Sequence, residues 1–311
     1  MSEDRKLQIL VFDVGGSHIA SSVFHPGGMS LGTLGTLPVL ETGCTADFFA
    51  AFESLARTML PATVALSGVA VAIPNPFDYD CGVSYMQHKY QQLYGNDLRQ
   101  ELARRLGCDP VRVHFLNDAA AFLIGELYQG AATGAHRAMG IALGTGLGSA
   151  FAVDDKIVVH GRGVPPGGEI WNLPYRESII ENFISTLAIQ RLYQELTGIH
   201  AQVREIAALA AEQQQARQTF ECFGSELGKV LRHICLAFAP ERIVFGGGIS
   251  RAAEFFLPAA EKELADLSIQ LRVSDLFERA PLIGAGVSWT QKYMNGKEQH
   301  ELEQNSVAEE T

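Results

Sequence analysis

Two glycine-rich turns, far apart in the chain, share one construction. The first is Asp13-Val14-Gly15-Gly16-Ser17, the second Gly144-Thr145-Gly146-Leu147-Gly148. In each, an apolar strand runs into a small turn bearing a hydroxyl, and a second strand leads out. A turn without bulky side chains exposes backbone N–H groups, and the hydroxyl adds a donor, so each surface suits a phosphate. Two copies point to a duplicated fold that grips one polyphosphate, and hence to a nucleotide-using enzyme. Asp13 ends a buried strand, where a carboxylate can hold hydrated magnesium while Gly15, Gly16 and Ser17 meet phosphate. Taken alone, this segment is equally an ordinary hairpin with a turn aspartate; the second copy favours phosphate.

Other residues suit the same chemistry. Phosphoryl transfer to an alcohol needs an acceptor for the hydroxyl proton, in line with the terminal phosphate. Asp118, after Asn117 at the end of an apolar strand, fits that role; capping the helix from Ala119 is its alternative use. Glu169 and Glu181 could accept hydrogen bonds from sugar hydroxyls, although each alone reads as a surface charge. Gly246, Gly247 and Gly248 follow the strand Ile243-Val244-Phe245 and let a flat ring approach the backbone. Two tempting motifs fail. In residues 144–148 the glycines fall at every second position and a strand follows, unlike the dinucleotide G-x-G-x-x-G that opens a helix. Gly224 to Lys229 lacks the spacing and the Ser or Thr of a phosphate-binding Walker loop.

The elements that must position these residues alternate between strand and helix, which implies an α/β fold. Residues 7–14 and 18–24 read as a hairpin. Thr45 caps a helix carrying Phe48, Phe49, Phe52 and Leu55 on one face. Leu66 to Ile73 and Val111 to Leu116 read as strands, with a helix from Asn96 or Asp97 to Leu106 between them. Ile157-Val158-Val159 follows an Asp154-Asp155 turn. Helical patterns fill 178–197 and 203–238, and Leu271 to Val273 reads as a last strand before a terminal helix. The expected domains are 1–120 and 121–284, with a helix over about 285–300 packing on the first and a polar tail over 295–311.

With 311 residues, 47% of them apolar and 19% charged, the chain is long enough for two soluble domains. No apolar run approaches the roughly 20 residues of a membrane span, and the polar start Met1 to Lys6 lacks a signal core, so a cytoplasmic protein is expected. A net charge of −11 argues against nucleic-acid binding. Cys44, Cys81, Cys108, Cys222 and Cys235 are scattered, as reduced thiols are.

From about Ile9 to Gly286 these motifs, in this order, resemble the ROK family of sugar kinases and sugar-sensing repressors. The resemblance implies a two-domain actin-like (ribonuclease H-like) sugar kinase fold and a homodimer. It implies ATP with magnesium, and transfer to a hexose hydroxyl, most often the 6-OH. It makes Asp118 the catalytic base and Asn117 a sugar ligand, with Glu169 and Glu181 beside them. Asp13 to Ser17 and Gly144 to Gly148 match the phosphate motifs, and Gly246 to Gly248 the adenosine side. A non-catalytic sugar-sensing regulator, a polyphosphate-dependent kinase and an N-acetylhexosamine kinase are the alternatives.

Three departures stand out. Asn172 occupies the place of the family's zinc-binding histidine, and residues 173–180 hold no cysteine, so no zinc site is expected. Asn75, in Pro74-Asn75-Pro76, puts a polar side chain where the family commonly has glycine. It joins Asn172 as a candidate sugar contact, and Tyr85 to Tyr90 should help shape the same pocket. Finally, the first strand begins by about Leu7, leaving no room for a repressor's DNA-binding module. Elemental analysis of untagged protein should therefore find no stoichiometric zinc; about one zinc per chain, resistant to dialysis, would contradict this reading of 172–181.

Overall fold

The computed structural model describes residues 7–39, 43–61, 64–87 and 89–295. His88 and the polar tail from residue 296 onward, both part of the expectations above, lie outside the described residues. The described residues divide into two units, 7–125 with 278–295, and 126–277.

The first unit is built on a mixed sheet. β1 (Ile9–Val14) and β2 (His18–His25) form the expected hairpin, extended by β3 (Ser30–Leu31) and β4 (Gly35–Pro38). On its other side β1 pairs in parallel with β5 (Gly68–Ile73), which pairs in parallel with β8 (Val113–Asn117). β5 is buried along its whole length, because central parallel strands are covered on both faces and must be apolar throughout. α1 (Thr45–Met59) buries Phe48, Phe49, Phe52 and Leu55, and Phe12, Phe48, Phe52 and Tyr90 form one aromatic cluster. Its N-cap is Cys44, whose Sγ accepts from the Asp47 N–H; Thr45, expected in that role, donates its hydroxyl to the Gln92 carbonyl at 2.8 Å. A short ribbon, β6 (Phe77–Asp78) with β7 (Val83–Ser84), precedes α2 (Leu98–Leu106), which Asp97 caps.

α3 (Asp118–Gln129) leaves the end of β8, and α8 (Arg279–Thr290) returns the chain to the first unit. The two helices touch backbone to backbone. A Cβ on Gly284 would lie 1.8 Å from the Ala121 carbonyl oxygen, and one on Gly125 2.0 Å from that of Ala280. This contact places residues 121–125 and 278–284 with the first unit, shifting the division from 120 and 284 to 125 and 277.

The second unit carries β9 (Arg137–Leu143) and β10 (Leu147–Val153) as its own glycine-turn hairpin, with the short β11 (Lys156–Ile157) at the edge. On the other side of β9 lie β14 (Arg242–Gly246) and β15 (Gln270–Val273), both parallel. The region expected as one helix over 178–197 is instead a small ribbon, β12 (Pro174–Tyr175) with β13 (Ser178–Ile179), then a 3-10 turn and α4 (Thr186–Thr197). The helix expected over 203–238 is two, α5 (Val203–Leu209), started by a Gln202–Glu205 capping box, and α6 (Gln214–Phe238). Gly224 and Gly228, which failed as a phosphate loop, let α6 approach α7 (Ala253–Glu263): a Cβ on Gly224 would lie 2.0 Å from the Phe256 carbonyl oxygen. Among the described residues, no helix is long and apolar enough to cross a membrane.

Alanine normally stabilises an exposed helix interior over glycine by about 1 kcal/mol. Gly284→Ala should do the reverse, because its methyl meets a backbone carbonyl that has no rotamer to change. We expect a loss of at least about 1–3 kcal/mol, measured by denaturant unfolding; an unchanged midpoint would show that the helices separate at no cost.

Candidate active site

In the first unit, the candidate residues stand where parallel strands end. Asp13 is the penultimate residue of β1, paired with Ala20 on β2 and Ala72 on β5. The turn after it closes through the Gly15 N–H donating to the His18 carbonyl at 3.0 Å, and the exposed Ser17 hydroxyl lies 3.2 Å from His18 Nδ1. Gly16 is exposed beside it. Tyr90, from the stretch expected to shape the sugar pocket, is buried and donates its hydroxyl to the Gly15 carbonyl. It therefore braces this glycine turn.

Asn117 ends β8 and Asp118 opens α3. The Asn117 Oδ1 accepts from the Ala120 N–H at 3.0 Å, the geometry of an N-cap. Asp118 is thus the first helical residue rather than the cap, and its Oδ1 accepts from the Ala119 N–H at 2.9 Å. A carboxylate here is stabilised by the positive end of the helix dipole. Asn117 Nδ2 also lies 3.4 Å from the Tyr79 hydroxyl, which is 2.7 Å from Asn75 Oδ1 and 3.0 Å from the Ile73 carbonyl. Tyr79 therefore ties Asn75, next to a cis Asn75–Pro76 bond, to Asn117. Nothing local in the sequence shows that Tyr79 reaches another strand.

Burial, and then the negative charges of Asp118 and Glu278, push the Asp13 carboxyl up to about 7. Glu278 was not legible in the sequence, since it joins this group only through the return of the chain into α8. A carboxylate at such a strand end suits a hard divalent cation such as magnesium, which binds through one or two carboxylates and keeps several waters. Among the described residues, no three His, Cys, Asp or Glu side chains form a ready metal cage.

In the second unit, the turn Gly144–Gly148 is stitched to the segment 165–186. The Thr186 N–H and hydroxyl both donate to the Gly144 carbonyl, at 3.0 and 2.9 Å. Ser149 donates to the Gly168 carbonyl at 2.8 Å and accepts from the Ile170 N–H at 3.0 Å. Glu181 is not a surface charge: its Oε2 accepts from the Leu147 N–H at 2.8 Å. Glu169 accepts from the Trp171 indole at 3.0 Å. Thr145 and Asn172 are exposed. Where the family commonly places its zinc loop, Arg176 turns the β12–β13 ribbon, stacks on Tyr175 and Phe183, and pairs with Glu226. Of the three successive glycines, Gly246 ends β14, is buried and pairs with Ala142, while Gly247 and Gly248 after it are exposed. Gly247 has φ 81°, and its Cβ would lie 2.3 Å from the Leu143 carbonyl oxygen, so the backbone itself requires glycine there. Around Gly248 there is open space.

Two sheets, each with a glycine-turn hairpin, and polar residues at the ends of parallel strands define the α/β, two-domain actin-like fold of sugar kinases. The chain belongs to the ROK family, whose model matches residues 10–291. It is 25% identical over 316 aligned positions to a glucokinase of Thermotoga maritima, covering 90% of this chain and 96% of that one. An N-acetyl-D-glucosamine kinase of Shigella boydii is 27% identical, with 82% of this chain and 87% of that one covered. The fold matches a Streptomyces griseus ROK glucokinase solved with glucose and AMPPNP (TM-score 0.75, 19% identity, 90% of this chain and 98% of that one).

The Asp13 environment carries a pH signature in metal-free protein. Its native pKa, about 7, lies above the ordinary 3.8, so between those values the native state holds more proton than the unfolded one. Stability then falls as pH rises from about 4 to about 7. Asp13→Asn removes this loss, so its melting temperature in chelator should exceed wild type by a margin that widens across that range. A margin independent of pH would show that Asp13 is not strained by its neighbours.

Proposed function

We propose that the protein is an ATP-dependent hexose kinase that transfers phosphate to a sugar hydroxyl, the 6-OH in the first instance. The observation that carries this reading is geometric: Asp13 stands near the end of β1 and Asp118 directly follows β8, two strands that run in the same direction in one sheet, and burial together with the Asp118 charge raises the Asp13 carboxyl. A proton acceptor and a carboxylate suited to a metal thus share one edge of one sheet.

In this reading Asp118 takes the proton from the sugar hydroxyl as the oxygen attacks the γ-phosphate. Asn117, fixed by its own capping bond, and Asn75, held through Tyr79, receive sugar hydroxyls. Glu169, Asn172 and Glu181 are the sugar-binding side chains of the second unit. Backbone N–H groups of Gly16 and Gly146, with the hydroxyls of Ser17 and Thr145, hold phosphate oxygens, while the N–H groups of Gly15 and Gly144 close the two turns on themselves. The open face at Gly246, Gly247 and Gly248 takes the adenosine. Magnesium held by Asp13, directly or through water, would neutralise charge on the phosphates during transfer. The same reading makes the protein a cytoplasmic homodimer.

Assay of ADP release over glucose, mannose, fructose, allose and the N-acetylhexosamines, with ATP and with polyphosphate as donor, identifies acceptor and donor. Asp118→Asn keeps the side-chain shape, and the helix retains its cap at Asn117. Turnover should fall by about 10²–10⁴-fold, with sugar affinity and melting temperature changed far less. A folded variant that keeps most of its turnover would remove Asp118 as the base and favour a sugar-sensing role.

A further inference from the structure

Residues assigned above to sugar and to phosphate are joined, within the second unit, by one continuous run of hydrogen bonds. The Trp171 indole donates to Glu169, and the Trp171 carbonyl accepts from the Glu181 N–H at 3.0 Å. The Glu181 carboxylate then accepts from the Leu147 N–H, inside the glycine turn. The turn is shaped for this contact: a Cβ on Gly146 would lie 2.5 Å from Glu181 Oε2. Gly146 is therefore small because a carboxylate lies against it, and an anion already occupies one N–H of a turn suited to phosphate. Thr186 fixes the other side of the turn through Gly144.

We propose that Glu181 is a positioning residue that couples sugar occupancy to nucleotide binding. This inference rests on the kinase reading and deepens it. One carboxylate oxygen holds the Leu147 N–H and thereby sets the shape of the glycine turn; in the kinase reading the same carboxylate receives the sugar's hydroxyls. A sugar that fixes the carboxylate also fixes the turn, so the nucleotide meets a turn that is already ordered. The reverse holds equally, because coupling between two ligands is reciprocal. The residue needed at position 181 is an acceptor for an N–H, which glutamine also provides and alanine does not.

The test is a calorimetric cycle. D-glucose and N-acetyl-D-glucosamine are titrated into the full chain with and without a saturating non-hydrolysable ATP analogue and magnesium. The ratio of the two sugar Kd values is the coupling. In wild type we expect the analogue to tighten sugar binding by about 5–150-fold, the usual range of such coupling. Glu181→Ala should bring the ratio to about one, while Glu181→Gln keeps most of it even where its sugar affinity drops. Gly146→Ala, whose methyl displaces the carboxylate, should weaken sugar binding although the residue lies in the phosphate turn. Coupling that survives in Glu181→Ala, that is lost equally in Glu181→Gln, or that is absent from wild type while both ligands bind, overturns the inference alone. Wild-type protein that binds neither sugar nor nucleotide overturns the kinase reading and takes this inference with it.

Discussion

Negative charge crowded at one edge of a parallel sheet is the constraint on which the first unit depends. β1, β5 and β8 run in the same direction, so the segments that follow them leave from the same edge. That edge collects Asp13, Asn75, Asn117 and Asp118, and α8 adds Glu278. Burial strips water from Asp13, and each neighbouring carboxylate raises the cost of ionising it. The Asp118 carboxylate is partly offset by the start of α3, where the Ala119 N–H meets it directly. The same crowding explains the fixed supports around it, with Asn117 capping α3 and Tyr79 bridging to Asn75. Polar side chains that must stay aimed at a ligand are held by bonds on their far side.

Hydrogen bonds, rather than charge, organise the second unit. The glycine turn between β9 and β10 has no side chains to pack, so its conformation is imposed from outside by Thr186 and Glu181, while Gly168 and Ile170 hold Ser149 just beyond it. Two of the glycines are explained by a neighbour as much as by a ligand: Gly146 yields space to Glu181, and Gly247 to the Leu143 carbonyl. The short ribbon after Asn172 is held by Arg176 against two aromatic rings and Glu226.

Helix contacts set where the units divide. Backbone carbonyls at Ala121 and Ala280 lie where a methyl at position 284 or 125 would have to go. Just past that contact, fully buried Glu126 accepts from the Ala131 N–H and from the Ser274 hydroxyl, and burial raises its carboxyl above the ordinary value. The two passages of the chain out of and into the second unit are thereby bonded to each other within it.

The amino-acid sequence by itself determined the alternation of strand and helix, the two glycine hairpins and the placement of Asn117-Asp118 at a strand end. These are local matters: a strand at the centre of a parallel sheet must be apolar, and a turn between strands must be small. The family follows from the order of those motifs. Only the tertiary structure decided which carboxylates meet. Glu278 joins Asp13 through a helix that begins far along the chain, and Glu181 joins the Leu147 N–H across a turn. It also decided that 178–185 is not α-helical: the Glu181 N–H and carboxylate bond to Trp171 and Leu147, partners outside any α-helix, although the apolar spacing is helical. Periodicity reports which face is buried, and it is silent on which distant backbone group a polar side chain will find.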